Sequence, residues 1–436
     1  GVCRTRANVP LSATDPGSFS IYPSRQVHSF WLPGPVSVKE TVLLPHVSHG
    51  HPADTCAVHL STILRNDSAR NRTISVYGFA RLGGTRRTPL IEGDCDPEQN
   101  CLFAWEQGHP DWVRVLSSSH AVKSWAITDD LAFIYDADWM VTLDNQVEGT
   151  GDVLGCLEVE LELPPTGSEE VVFTLFFSPE GRTAAERDLE KGSDRETASR
   201  ATAKYFREQP SVCRVFTPDP VINSGSTWSK VNMLRVLAHY PRGLSFTNEP
   251  GVSSNVVARD AIWFAYGCDH FRPDVSRKLL DALARCQYPD GKIPEYYDAR
   301  TGEVADYDLN INDGTPLFVL GVNHHVRSTG DMRYLAGMYD SVASACRYIL
   351  SQRDERGLVY CDAEGVEVWG ICSWRNVIPN YQINGAVTEI NSECAAALRA
   401  MGHMAENLGK QGDADFFLGE ADKVKRAINT HLLDRE

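Results

Sequence analysis

The segment Asp306-Tyr307-Asp308-Leu309-Asn310-Ile311-Asn312-Asp313-Gly314-Thr315-Pro316 is dense in oxygen-bearing side chains. Calcium is the first chemistry to weigh. A calcium loop opening at Asp308 needs Gly at its sixth position and Glu at its twelfth, and those places hold Asp313 and Val319. The calcium pattern therefore fails. A helix is expected to start at Thr315-Pro316, so Asp313 or Thr315 is either its cap or a proton-transfer group. Arg259-Asp260 stands one helical turn before Trp263. There an acid and a guanidinium can clamp sugar hydroxyls while the indole stacks on a ring; the plainer alternative is a local ion pair and a core tryptophan. Trp369 and Trp374 lie in a Gly-bearing loop that offers a carbohydrate platform. Glu389 follows Thr388 in what reads as a first helical turn, where an acid also complements the helix dipole. Glu295 sits beside Tyr296 and Tyr297. His324-His325 has no metal-binding context, and no phosphate loop, dinucleotide fingerprint or nucleophile elbow occurs. No metal and no cofactor is expected.

Composition narrows the classes. The chain has 436 residues, with 42% hydrophobic and 23% charged, as in an ordinary globular protein. Its net charge of −16 disfavours nucleic acid as a partner and suits an uncharged substrate. No apolar run approaches the roughly 20 residues of a membrane helix, so no membrane span is expected. Residues 1–10 lack the apolar core of a signal peptide. The twelve cysteines contain no C-x-x-C pair, which argues against structural zinc and for a reduced, cytoplasmic setting. Cys95 and Cys101 are the one candidate disulfide. The two N-x-S/T sites, at Asn66 and Asn71, read as polar turns. The chain opens at Gly1 without a Met, so an upstream segment is expected.

These residues need elements to hold them. Through residue 180, short runs alternate with period two. Val36 to Leu44, Ala57 to Leu64, Thr73 to Phe79, Leu157 to Leu163 and Val171 to Phe177 predict an antiparallel β-sandwich. A charged helical connection, 181–220, follows. From 221 onward the period is helical. Seven helices are expected: one around Trp228 to Ala238, then Val257 to Cys268, Asp274 to Cys286, Thr315 to Val326, Asp331 to Leu350, Thr388 to Leu408 and Asp413 to Leu432. Two long loops, 287–312 and 351–387, separate them, and long ordered loops in a helical domain usually carry function.

Three segments in this order resemble the six-hairpin glycosidases. They are Ala258-Arg259-Asp260-Ala261-Ile262-Trp263, then Ile311-Asn312-Asp313-Gly314-Thr315-Pro316-Leu317-Phe318, then Ser373-Trp374-Arg375-Asn376 with Val387-Thr388-Glu389-Ile390-Asn391. The closest likeness is to the glucosidase domain of glycogen-debranching enzymes and bacterial glucoamylase-like proteins. It implies an α+β multidomain chain: a β-sandwich over 1–180, a linker over 181–220 and the front of an (α/α)6 toroid over 221–436. It implies a carbohydrate substrate and hydrolysis of an α-glucosidic bond by inversion, with Asp313 as general acid. Asp306 and Asp308 are its candidate neighbours for holding the proton. Arg259, Asp260, Trp263, Trp374 and Glu389 would line the sugar subsite, with Glu295 and Asp308 as further binding candidates. Two departures stand out. Relatives often carry Asp where this chain has Asn376. Twelve helices need roughly 350–400 residues, so the base is expected beyond Glu436, on a continuing segment or a second chain. The alternatives are an inverting disaccharide phosphorylase and a non-catalytic carbohydrate-binding protein.

Overall fold

The computed structural model describes residues 2–5, 7–10, 16–31, 35–45, 56–83, 91–129, 143–147, 153–192, 195–241, 243–247, 253–306, 309–362, 372 and 383–434. They fall into two compact units, 1–208 and 209–436. Among them no helix is long and apolar enough to cross a membrane.

The first unit is built from two sheets. Eight strands run in the spatial order Pro16–Tyr22, Arg25–Trp31, Val36–Leu43, Cys56–Asn66, Ser168–Ser178, His109–Ser118, Cys101–Glu106 and Ile91–Asp96. Six more run Gln146–Val147, Ser124–Thr128, Leu154–Leu163, Arg72–Arg81, Val2–Thr5 and Ala7–Pro10. Every pairing is antiparallel except the short one between Ser124–Thr128 and Gln146–Val147. The period-two pattern sends Leu157, Val159 and Leu161 inward against Val38, Leu64, Val171 and Phe173 of the other sheet, in one shared core. Glu160 and Glu162 on the alternate positions are exposed, while Glu158 is buried on that face by bonds from Ser75 (2.7 Å) and Ser124 (2.5 Å).

The stretch read as one charged connection forms two helices, α1 (Arg182–Gly192) and α2 (Arg195–Glu208). Both belong to the first unit. Ala185 of α1 is buried with Phe103, Val115 and Phe176 on the outer face of the larger sheet. Arg195 of α2 pairs with Glu170 at 2.6 Å.

The one candidate disulfide of this unit is ruled out for a physical reason. Cys95 and Cys101 are free thiols. They lie on paired strands, but Cys95 is opposite Leu102 and Cys101 opposite Asp96. The alternation of the pleat then sends them to opposite faces, one to each core cluster. The polar turn expected at Asn66 lies between Cys56–Asn66 and Arg72–Arg81, and a buried Asn66 locks it. Its side-chain amide donates to Arg70 O at 2.7 Å and to Leu163 O and Pro164 O at 3.0 Å each.

The second unit is helical. Its first helix, α3 (Pro220–Arg235), is capped by Asp219, which accepts from Val221 N at 2.8 Å. It stops before Leu237 and Ala238, which lie instead on a strand, Leu237–Tyr240. Six further helices follow: α4 (Ala258–Cys268), α5 (Pro273–Arg285), α6 (Gly314–Thr329), α7 (Met332–Ser351), α8 (Thr388–Asn407) and α9 (Gln411–His431). Consecutive helices pair as three hairpins, and α4, α6 and α8 stand side by side as an inner row. Close approach within that row is set by Gly321 of α6. A Cβ there would meet Ile262 of α4 at 2.9 Å and Leu280 of α5 at 3.1 Å. His324 and His325 of α6 both bond Asp269, just past α4, at 2.7 Å each. Burial alone would raise the Asp269 carboxyl, but the two histidine bonds outweigh it and hold it low. That use explains the histidine pair without a metal.

The loop 287–312 is more ordered than a loop reading implied. It carries two strands, Tyr296–Asp298, which pairs with Asn255–Val257, and Val304–Ala305, which pairs with Tyr296–Asp298, in a small antiparallel sheet. Asn255–Val257 runs straight into α4, so the sheet ties Glu295 to the start of that helix through Ala258 N to Glu295 O, 2.8 Å. The turn before it needs Gly291. Its φ is +102°, and a Cβ would lie 2.3 Å from the backbone oxygen of Ser344. Gly291→Ala is therefore expected to cost about 2 kcal/mol or more, read as a lower urea midpoint. An unchanged midpoint would contradict this packing.

Candidate active site

The three inner helices bring their N-terminal ends together, and the acids collect there. Arg259 and Asp260 lie in the first turn of α4, Asp313 immediately precedes α6, and Glu389 lies in the first turn of α8. The Asp313 carbonyl opens α6 by accepting from Leu317 N at 2.9 Å, but its side chain makes no capping bond. Thr315 does not cap either, because its hydroxyl accepts from Ile293 N at 3.1 Å. The capping alternative is thereby removed for both residues.

The Asp313 side chain turns instead to Arg259, whose Nε donates to Oδ2. Both groups are buried, Asp313 at 2% and Arg259 at 9% exposure. The other oxygen, Oδ1, is buried and has no hydrogen-bond partner among the described residues. Burial pushes the Asp313 carboxyl up, against the pull of Arg259.

A group the sequence reading passed over completes the cluster. Glu393 stands one turn along α8 from Glu389, so both project from one face. One carboxyl oxygen from each of Asp313, Glu389 and Glu393 lies within 4.8 Å of the others. Glu393 Oε2 is buried and unpartnered among the described residues. Burial first, then the charges of Asp313 and Glu389, push Glu393 up to about 8, with Arg259 working the other way. Such spacing could bridge a cation, but Arg259 already supplies positive charge at Asp313. The i,i+4 repeat Glu389/Glu393 was the available signal for this residue.

Glu295 is the second buried acid nearby. Burial and then the Asp313 charge lift it to about 8. Asn312 Nδ2 donates to Glu295 Oε2 at 3.3 Å, while Asn312 Oδ1 is buried without a partner among the described residues. Asp306, expected to hold the proton on Asp313, does other work. It pairs with Lys292 at 3.1 Å and accepts from Glu295 N at 2.9 Å. The acid that adds its charge to Asp313 is Asp260. Asp306 is thus a strut of the loop, because Lys292 also donates to Leu309 O at 2.6 Å and fastens both ends of the turn.

Trp263 is 55% exposed, with its ring edge-on to Tyr266 at 5.3 Å between centroids. The core-tryptophan alternative fails, and a flat apolar face one turn beyond Arg259 is left open. Asp308 and Trp374, with Arg375 and Asn376, lie outside the described residues. Behind Asp313, the thiols of Cys361 and Cys372 donate to Ile311 O at 3.1 and 3.4 Å. Asn391 of α8 holds the strand-like segment at Val359, accepting from its N–H at 2.7 Å and donating to its carbonyl at 2.8 Å. The backbone under the acid is therefore braced from two sides.

Removing Arg259 should expose what the pair does. With Arg259→Met, the buried Asp313 loses its hydrogen-bonded cation, and we expect about 3–5 kcal/mol of destabilisation at pH 7. Without the arginine, the native Asp313 binds its proton more tightly than the unfolded one, which titrates near about 3.9. The penalty is then small below that pH and grows as pH rises through the raised native value. Urea unfolding at pH 4 and pH 7 checks this, and equal losses at both would count against it.

Comparison with known proteins adds the fold. No family model matches the chain, and no curated protein sequence matches it. Among solved structures, a bacterial glucoamylase complexed with acarbose superposes with a TM-score of 0.61 at 14% identity, covering 93% of this chain and 56% of that one. A protein described as a kojibiose phosphorylase from the human microbiome superposes at 0.58 with 9% identity, covering 98% of this chain and 59% of that one. The chain thus spans a little over half the length of each. At such identities the likeness speaks for architecture, and that architecture, a β-sandwich followed by paired helices, is the six-hairpin glycosidase-like (α/α)6 fold.

Proposed function

We propose that this chain carries the acid side of a glycoside hydrolase site, with Asp313 as the proton donor to the glycosidic oxygen. The observation that carries the reading is the state of Asp313. It is buried, does not cap its helix, keeps one oxygen unbonded among the described residues, and is lifted by burial. A carboxyl kept protonated near neutral pH is what general-acid cleavage requires. Arg259, Asp260, Glu389 and Glu295 surround it, and the open face of Trp263 suits a sugar ring. The α-glucosidic preference rests on the three ordered motifs and on the glucoamylase neighbour.

The spacing bears on stereochemistry. An inverting pair stands roughly 6.5–9.5 Å apart to admit a water. Glu389 and Glu393 each bring one carboxyl oxygen within 4.8 Å of one on Asp313, so they group with the acid. In this reading they belong to the acid's side, and the base of an inverting pair would stand across the sugar from them. A phosphorylase is the second reading, favoured by the kojibiose phosphorylase neighbour. There phosphate replaces the water.

The test is a panel of aryl and natural α-glucosides, with and without phosphate. Asp313→Asn should lower turnover about 10²- to 10⁴-fold, measured per folded molecule at a temperature where the variant stays native, because it also leaves Arg259 buried without its carboxylate. Turnover that survives this substitution would remove Asp313 as the acid, and turnover that depends on phosphate would select the phosphorylase.

A further inference from the structure

We propose that Asp313 shares its proton with Glu393, so that the donor of this site is a two-carboxyl unit in which Glu393 is the positioning residue. For its catalytic consequence this rests on the reading of Asp313 given above; the proton on Glu393 does not.

Geometry carries the argument. Glu393 Oε2 and Asp313 Oδ1 are both buried and both lack a hydrogen-bond partner among the described residues. Their carboxyl groups approach within 4.8 Å, the reach of one bridging water. Two buried acceptors on neighbouring carboxyls are costly without a donor, and a proton on one carboxyl supplies it. The groups that face Glu393 point the same way. Asp313 comes from the start of α6, Arg259 and Tyr266 from α4, and Glu389 from its own helix. Burial and then the charge of Glu393 hold the Tyr266 phenol up near about 12, so it stays neutral. Arg259 is then the one cation among these four neighbours, and it is bonded to Asp313. Like charges this close in a buried site do not all ionise. Burial and the two neighbouring carboxylates lift Glu393 in agreement with this.

The step balances simply. The shared proton passes to the glycosidic oxygen as the C–O bond breaks and the bonding pair leaves with that oxygen, while a water oxygen bonds to the anomeric carbon from the opposite face and gives its proton to the base there. Asp313 and Glu393 are left without the shared proton, with Arg259 facing the new charge, and the pair takes a proton back from water after the product leaves.

The experiment compares the full chain with Glu393→Gln, which keeps shape and hydrogen bonding but cannot titrate. Native Glu393 binds a proton that the unfolded side chain releases near about 4.3. Between that pH and about 8, wild type should therefore lose native population relative to Glu393→Gln, by up to about tenfold per pH unit. Parallel stability curves from pH 5 to 8 would overturn the proposal. Should Glu393→Gln not fold, the infrared carboxylic-acid carbonyl band of Glu295→Gln at pH 7 decides. Its presence supports a proton held by the pair, and its absence overturns it. On a substrate turned over by the wild type, Glu393→Gln should also shift the alkaline limb of the kcat/KM profile toward acid, by about one pH unit or more. If Asp313→Asn abolishes turnover while Glu393→Gln keeps the wild-type limb, the sharing is wrong and the Asp313 donor stands. If Asp313→Asn leaves turnover intact, the donor reading falls with it.

Discussion

The buried contact between Arg259 and Asp313 is the constraint around which the helical unit is arranged. A guanidinium and a carboxyl removed from water lose several kcal/mol of hydration each, which their attraction repays only in good geometry. Here that geometry exists because α4 and α6 begin at the same level, with Arg259 in one first turn and Asp313 at the entrance of the other. One cation is few for the acids gathered about it. Asp260, Glu295, Glu389 and Glu393 all lie near enough to the pair to act on it or be acted on by it. Burial resolves the surplus by keeping protons on the acids, which lifts Glu295 and Glu393 to about 8. A cluster of acids that holds protons near neutral pH follows from that shortage of positive charge.

The rest of the helical unit reads as support for that level. The small sheet of Asn255–Val257, Tyr296–Asp298 and Val304–Ala305 delivers Glu295 beside the start of α4. Lys292 and Asp306 brace the intervening turn. Gly321 lets α6 close on α4 and α5. Asn391 and the thiols of Cys361 and Cys372 steady the chain behind Ile311-Asn312-Asp313. Each contact sacrifices an otherwise ordinary polar or small residue to position, which is why rigid elements rather than mobile loops hold the acid.

The first unit holds itself together by different means. Its two sheets bury a shared apolar core, and α1 covers part of one outer face through Ala185 and the Arg182–Asp94 pair. Its strand registers also decide chemistry, since they put Cys95 and Cys101 on opposite faces and leave both as thiols.

Periodicity determined the classes of element: strands of period two before residue 180 and amphipathic helices after 257, because burying one face repeats every second or every third to fourth residue. The order of three motifs was enough to draw the likeness to the six-hairpin fold and to single out Asp313, Arg259 and Glu389, while Glu295 stood out beside Tyr296 and Tyr297. Local pattern could not tell a helix cap from a buried, paired acid at Asp313, since both favour an acid at a helix start; only the contact with Arg259, fifty-four residues away in the chain, separates them. It could not predict that Asp306 would be taken up by Lys292, nor that Trp263 would face outward, because both depend on which neighbours the folded chain brings near. Glu393 shows the same limit most plainly. Spacing puts it one turn from Glu389 on α8, but its character comes from burial beside Asp313, a long-range property that spacing alone does not encode.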